Sequence, residues 1–379
     1  MNSNLASRLL TSVMEWNAIG LTSERPILEF MGSMKYDAYD RYMPGTRFMS
    51  SLVQWLNQFD EEDRSIVLDF IKKNLIFISS TQMNYLVDLL YDSNIRPILQ
   101  RKATTNAKKP SYMLCNKEVQ KQFDIEKRSA LIIGLSDGAH TDILRRSAGF
   151  NNEQVLTNYY PDSKKMEELL DKLTTDLKKK GCNSKYFRSI FLIDDFTASG
   201  KSFVRYDEKE KEYKGKLIKI IDELCKEPEE KDKFKHLSAL LDPEQTNIYI
   251  YIMFCMATEK AKTNIEKGLK DYKLSRSFKK NVIFEIYPVQ MLENDITNDI
   301  TGNEALMKVL KKTKYLNKGV KNNVDYQVGQ CKHPYLGFDE CALPVVLSHN
   351  TPNNSLPILW QDTDDDNEFR GLFPRISRH

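Results

Sequence analysis

The residues best placed to do chemistry in this chain are two adjacent carboxylates at the end of an apolar run. They are Asp194 and Asp195 in "IFLIDDFTASGKSF" (190–203). Adjacent carboxylates accept paired hydroxyls such as those of a ribose, and they hold Mg2+ directly or through water. The residues that follow, Thr197, Ala198, Ser199, Gly200, Lys201 and Ser202, are small, hydroxylated or cationic. Such a run lets successive backbone N–H groups close around a phosphate, with hydroxyls as further donors. One short segment thus reads as a ribose site at one end and a 5′-phosphate site at the other. The plainer alternative is an acidic turn leaving a strand, with serine and glycine for bending. The Ser-Gly-Lys-Ser ending is not a P-loop. That motif has a glycine five residues before its Gly-Lys pair, and the residue there is Asp195.

The elements that must position these groups are legible around them. Four short apolar runs, "ALIIGL" (130–135), "SIFLID" (189–194), "NIYIYIMFC" (247–255) and "NVIFEIY" (281–287), alternate with helical segments around 163–180, 214–226 and 258–272. Strands apolar on both faces and separated by helices predict a parallel sheet covered on two sides. Ligands of such sheets bind outside the carboxyl ends of the strands, where Asp194 and Asp195 fall. The first hundred residues read as helical instead. Phe48, Leu52, Trp55 and Phe59 recur on one helix face, and Met83, Leu86, Val87 and Leu90 do the same. The polar "RKATTNAKKPS" (101–111) reads as a linker or mobile loop. The expected fold is therefore α/β, a parallel-sheet core preceded by a small helical domain, with domains at 1–105 and 106–379.

Composition bounds the function. With 41% apolar and 29% charged residues over 379 positions, the chain has the makeup of an ordinary soluble globular protein. A net charge of +3 against 56 basic and 53 acidic groups argues against a whole-surface grip on nucleic acid. Small clusters such as "IKKN" and "LKKK" leave room only for weak, salt-dependent binding. No run approaches the roughly 18 apolar residues of a membrane span, and the N-terminus lacks a leader pattern. Six scattered cysteines without a CxxC pair suit reduced thiols in a cytoplasm. Cys331, His333, Cys341 and His349 match no zinc spacing and read as scatter.

The segment 190–202 resembles the PRPP-binding signature of type I phosphoribosyltransferases, with Phe196 and Thr197 departing from the small aliphatic residues usual there. The resemblance implies that Asp194 and Asp195 contact ribose hydroxyls and that Ala198 to Ser202 cradle the 5′-phosphate. It also implies a pyrophosphate loop after the first core strand, matched here by Ser136, Asp137 and Gly138 in "SDGAHTDILRRSAG" (136–149). Asp137 would oppose bare pyrophosphate without Mg2+, and Arg145 and Arg146 could supply charge, although arginine pairs on a surface helix are more often solvated. His140 beside the loop reads as structural or solvated.

Together with "SHNTPNNSLPILW" (348–360), these motifs resemble PRTase-CE, a divergent phosphoribosyltransferase-like family of bacterial conflict and antiphage systems. The late motif carries Asn350, Asn353 and Asn354, which present amides to a base or sugar or else satisfy a tight turn. The resemblance implies a cytoplasmic effector acting on PRPP, a nucleotide or an N-glycosidic bond, with Mg2+ and with protein partners from a defence operon. The alternative is a catalytically silent nucleotide sensor or scaffold in a multi-protein complex. The charged stretch "FVRYDEKEKEYKGK" (203–216) reads as a hairpin or an extended loop between the phosphate segment and its following helix.

Overall fold

The computed structural model describes residues 3–42, 47–157, 161–227, 233–322, 331–363, 365 and 367–375. Packing divides the chain into two units. One is made of residues 1–82 and 293–379, the other of residues 83–292. This division differs from the boundary read at residue 105, because the C-terminal segment packs with the N-terminal helices.

In chain order, helices α1 (Ser3–Val13), α2 (Ala18–Met34), α3 (Phe48–Asn57) and α4 (Glu61–Asn74) precede strand β1 (Ile76–Ile78) and α5 (Ser80–Leu89). Next come α6 (Arg96–Asn106), α7 (Lys117–Arg128), β2 (Ala130–Gly134), α8 (Thr141–Ala148), β3 (Val155–Leu156) and α9 (Ser163–Lys179). They are followed by β4 (Ser189–Thr197), β5 (Arg205–Asp207), β6 (Glu212–Lys214), α10 (Lys216–Cys225), β7 (Asn247–Thr258), α11 (Glu259–Ser275) and β8 (Asn281–Leu292). The chain ends with α12 (Asn294–Gly302), α13 (Glu304–Leu310), α14 (Lys318–Asn322), β9 (Val345–Leu347) and α15 (Pro357–Trp360).

In the first unit, Leu52, Trp55, Val67, Phe70, Ile358 and Phe373 share one buried core. The apolar runs "IFI" and "VVL" pair in parallel as β1 and β9, and the Trp55 indole donates to the Ile358 carbonyl at 2.8 Å. Helices thus precede the α/β core, as the sequence predicts, but the C-terminal run adds a two-stranded ladder to them.

The second unit holds a five-stranded sheet of order β3-β2-β4-β7-β8, parallel throughout. All four apolar runs of the sequence lie in it. Helices α9, α10 and α11 cover one face with Leu169, Leu173, Ile218, Ile221, Ile265 and Leu269, against Leu131, Ile190, Leu192, Ile250 and Ile252 of the strands. Burying a side chain of this size contributes roughly 1.5–3 kcal/mol, so this layer fixes the height of the strand ends. The chain runs from β2 outward to β3 and then returns to β4 on the other side of β2. The order therefore reverses between β2 and β4, the switch point where α/β sheets open a crevice.

Two expectations need correction. Residues 101–106 of the supposed linker are helical, the end of α6, with Ala103 and Thr104 buried. In addition, β4 runs on past the acid pair to Thr197, pairing Phe196 with Met256 and Thr197 with Ala257. Asp194 and Asp195 thus lie inside the strand, before its end.

Candidate functional site

The acid pair sits on β4 beside the loop that leaves β2, at the switch point. Side chains of a strand alternate between its faces. Ile190, Leu192 and Asp194 therefore point toward the helical layer of α10, and Phe191, Ile193 and Asp195 point the other way. The two acids, expected to act alike, are separated by this alternation. Asp194 is 1% exposed, and Asp195 is partly open.

Asp194 is saturated by the protein. Its Oδ1 accepts the Ser136 hydroxyl and the Asp195 amide at 3.1 Å. Its Oδ2 accepts Lys216 Nζ at 2.9 Å. Burial, then the neighbouring Asp195 charge, push its carboxyl well above the ordinary range, to about 7, against the pull of Lys216 and Ser136. Asp195 Oδ1 accepts the Phe196 amide at 2.8 Å. Its Oδ2 faces Gly138, where an added Cβ would lie 2.7 Å away. The Ser136-Asp137-Gly138 loop therefore closes on both acids, one through a hydroxyl and the other through the absence of a side chain. Asp137 itself is exposed. Behind the pair, the buried Cys255 thiol is pushed up by burial and by both carboxylates, which keeps it protonated and a poor nucleophile.

The proposed phosphate segment is a tight turn wedged between two helix starts. Gly200 has φ +74°, and a Cβ there would come 2.9 Å from the Ala261 carbonyl. Both facts demand glycine. Thr258 ends β7 and caps α11 by accepting from the Ala261 amide at 3.0 Å, while its hydroxyl donates to the Ala198 carbonyl at 2.5 Å. Asn264 Nδ2 donates to the Ser199 carbonyl at 2.9 Å. The Lys201 amide donates to Ser199 Oγ at 3.3 Å. Thr197 Oγ1 is buried and has no hydrogen-bond partner among the described residues.

The stretch after Phe203 is the hairpin, β5 antiparallel to β6. Its two ends meet: the Lys216 amide donates to the Ser202 carbonyl at 3.0 Å and the Leu217 amide to the Phe203 carbonyl at 3.1 Å. Helix α10 thus starts directly at the 198–202 turn despite the intervening hairpin, with its positive dipole end there. Two of its first amides are engaged by those carbonyls, so the dipole contributes more than free donors do. Lys216, which sequence reasoning missed, is the first residue of this helix.

A Mg2+ ion does not fit Asp194. Three of the roughly four acceptor positions of its carboxylate are taken, and the last lies beside an ammonium group. Asp195 could hold the ion through water, in the manner Mg2+ favours when phosphates supply its other ligands. Among the described residues, the metal-like group of three is Asp60, Glu62 and Asp63. Lys312 meets all three and Lys314 meets Asp60, so that cluster is an ion-pair network.

The remaining candidates are on α8 and in the first unit. Arg146 is 70% exposed and pairs with Asp142 at 3.3 Å on α8, the solvated reading; Arg145 is partly buried on the same helix. Asn350, Asn353 and Asn354 belong to the first unit. There Asn354 Nδ2 donates to the Phe338 carbonyl at 3.1 Å, the Asn353 carbonyl accepts from the Phe338 amide at 2.8 Å, and the Asn350 amide closes a turn onto Leu347 at 3.0 Å. These contacts shape the turn, the Asn350 Oδ1 is buried without a hydrogen-bond partner among the described residues, and the acid pair is in the other unit.

Comparison with protein families matches residues 52–375 to PRTase-CE. The chain belongs to the PRTase-CE family. No curated protein and no solved structure matches it in the corresponding searches. The PRTase-CE match spans most of both units, including the acid pair, the loop at 136–138 and the turn at 348–360. It establishes the phosphoribosyltransferase-like α/β class of the sheet described above. No helix among the described residues is long and apolar enough to cross a membrane.

Proposed function

We propose that this PRTase-CE protein binds a phosphorylated ribose, either PRPP or a nucleotide, at residues 195–202. Asp195 accepts the ribose hydroxyls, and the turn from Ala198 to Ser202 takes the 5′-phosphate. Asp194 orders the pair from behind. The observation that carries this reading is the turn itself: Gly200 is forced into a left-handed conformation against the first turn of α11, one residue from hydroxyl and lysine donors and five from a partly exposed carboxylate. Helix starts and such turns favour anions.

The reaction proposed with this binding is transfer or cleavage at the C1′ bond, whose oxocarbenium-like centre needs charge placement more than a nucleophile. Any Mg2+ arrives on the ligand's phosphates and meets the protein through Asp195. Family membership supports the wider proposal of a cytoplasmic antiphage effector working with operon partners. A second reading, a silent sensor or scaffold, is favoured by one observation. The acidic 136–138 loop carries Asp137 where pyrophosphate would lie.

Calorimetry with PRPP and Mg2+, on the wild type and on Asp195→Asn, tests the binding. Binding lost in the variant supports the site, and equal binding in both overturns it. Turnover of a nucleotide panel separates enzyme from sensor, and plaque counts with Asp195→Asn test the defence role.

A further inference from the structure

Lys216 is held at both ends by the site. Its amide donates to the Ser202 carbonyl at 3.0 Å, and its Nζ reaches Asp194 Oδ2 at 2.9 Å. Between them its ammonium lies 4.9 Å from the centre of the buried Phe203 ring. The side chain is 39% exposed against 1% for its partner, so the cation has an outer surface while the carboxylate has none. With the Ser136 hydroxyl and the Asp195 amide on the other oxygen, the donors around Asp194 are complete without a metal. A divalent ion would have to displace a lysine anchored in the first turn of α10, or sit beside it against charge repulsion.

We infer that Lys216 is the resident cation of the acid pair: it closes Asp194 to metal and serves as the positioning residue that lets the site take a phosphorylated ribose without a divalent ion on the protein. This rests on the ribose-phosphate reading above. It adds to that reading a specificity, that the monophosphate end of the ligand is recognised independently of Mg2+. The arrangement also ties recognition to the hairpin, whose return brings Lys216 beside Ser202.

The test uses the full chain and two probes. The first is Mn2+ titration followed by electron paramagnetic resonance, on the wild type and Asp194→Asn. The expected result is the same Mn2+ binding in both. A wild-type Mn2+ site that Asp194→Asn removes overturns the inference.

The second probe is ribose 5-phosphate, which carries no pyrophosphate to bring a metal of its own, measured by calorimetry with EDTA and then with Mg2+. The affinity should be the same in both conditions, should fall about tenfold or more in Lys216→Met, and should return in Lys216→Arg. A tenfold gain from Mg2+, or wild-type affinity in a Lys216→Met variant shown folded by circular dichroism, overturns it. If Lys216→Met does not fold, the EDTA comparison on the wild type decides. If ribose 5-phosphate binds in neither condition, the ribose-phosphate reading fails, and the Mn2+ titration alone decides whether Asp194 is closed.

Discussion

Replacing the two acids one at a time should give opposite phenotypes. In Asp194→Asn, the side-chain carbonyl satisfies the Ser136 hydroxyl and Asp195 amide, and the new NH2 group then faces the Lys216 ammonium. A charge-assisted bond of roughly 1.5–3 kcal/mol is lost and two donors oppose each other. Two effects reduce the cost. Lys216 is 39% exposed and recovers water, and neutralising a carboxylate that burial already disfavours returns desolvation energy. The expected net loss is about 1–2 kcal/mol. Asp195→Asn removes a partly exposed charge that opposes the ionised Asp194, and should stay within about 0.5 kcal/mol of the wild type while losing ligand. All three tryptophans, Trp16, Trp55 and Trp360, lie in the unit that lacks the acid pair, so indole fluorescence reports the wrong place. Hydrogen exchange of peptides spanning 189–204, at pH 8, reads the local stability directly. Equal loss of protection in the two variants would refute the division of roles.

Three further outcomes follow from the same geometry. Thr258→Val removes one hydroxyl that both caps α11 and binds the Ala198 carbonyl; a cap of about 1 kcal/mol and a buried acceptor of about 1–3 kcal/mol make the cost roughly 2–4 kcal/mol. Thr258→Ser should keep most of it, and exchange in the first turn of α11 measures both. Gly138→Ala puts a methyl 2.7 Å from Asp195 Oδ2, so calorimetry should show ligand binding lost while the thermal midpoint barely moves; unchanged binding sinks the proposed contact. Carboxyl carbon NMR should find Asp194 titrating well above ordinary aspartates, near 7. Because the folded value is raised, its stability contribution is present below pH 3.8 and is lost as pH rises through 7. Asp195→Asn should lower that midpoint, and an unmoved midpoint would show that the Asp195 charge is not a cause.

Much of the sheet was legible because parallel strands buried on both faces announce themselves as unbroken apolar runs, and the acid pair stands out against "IFLI". What escaped were contacts between distant residues. β1 and β9 have three residues each, too short for any period, and their pairing joins segments far apart in the chain. Polar composition hid the end of α6, although Ile98, Leu99 and Ala103 share a buried face. Lys216 was recoverable. Of the two readings left open for 203–216, the hairpin implies that its ends are neighbours, and so that a lysine at its close stands beside the phosphate segment. The glycine before it supports this, since a Cβ at Gly215 would lie 2.2 Å from the Phe203 carbonyl oxygen.

The asymmetry of the pair has a consequence for the ligand. Two neighbouring acids on one strand cannot both face the same crevice, because the pleat sends them to opposite sides. One must enter the helical layer, where it is stable only with a cation and donors, and Lys216 and Ser136 supply them. The other, Asp195, is partly exposed, next to an exposed Asp137 and a glycine with no side chain to offer. At the other end, helix starts, hydroxyls and Lys201 gather around Gly200. On the proposed reading, negative charge is repelled at the 136–138 end and drawn to the 198–202 end. A site so built would favour a ribose bearing its phosphate at the 5′ position, and a pyrophosphate at C1′ would have to bring its own counter-ion.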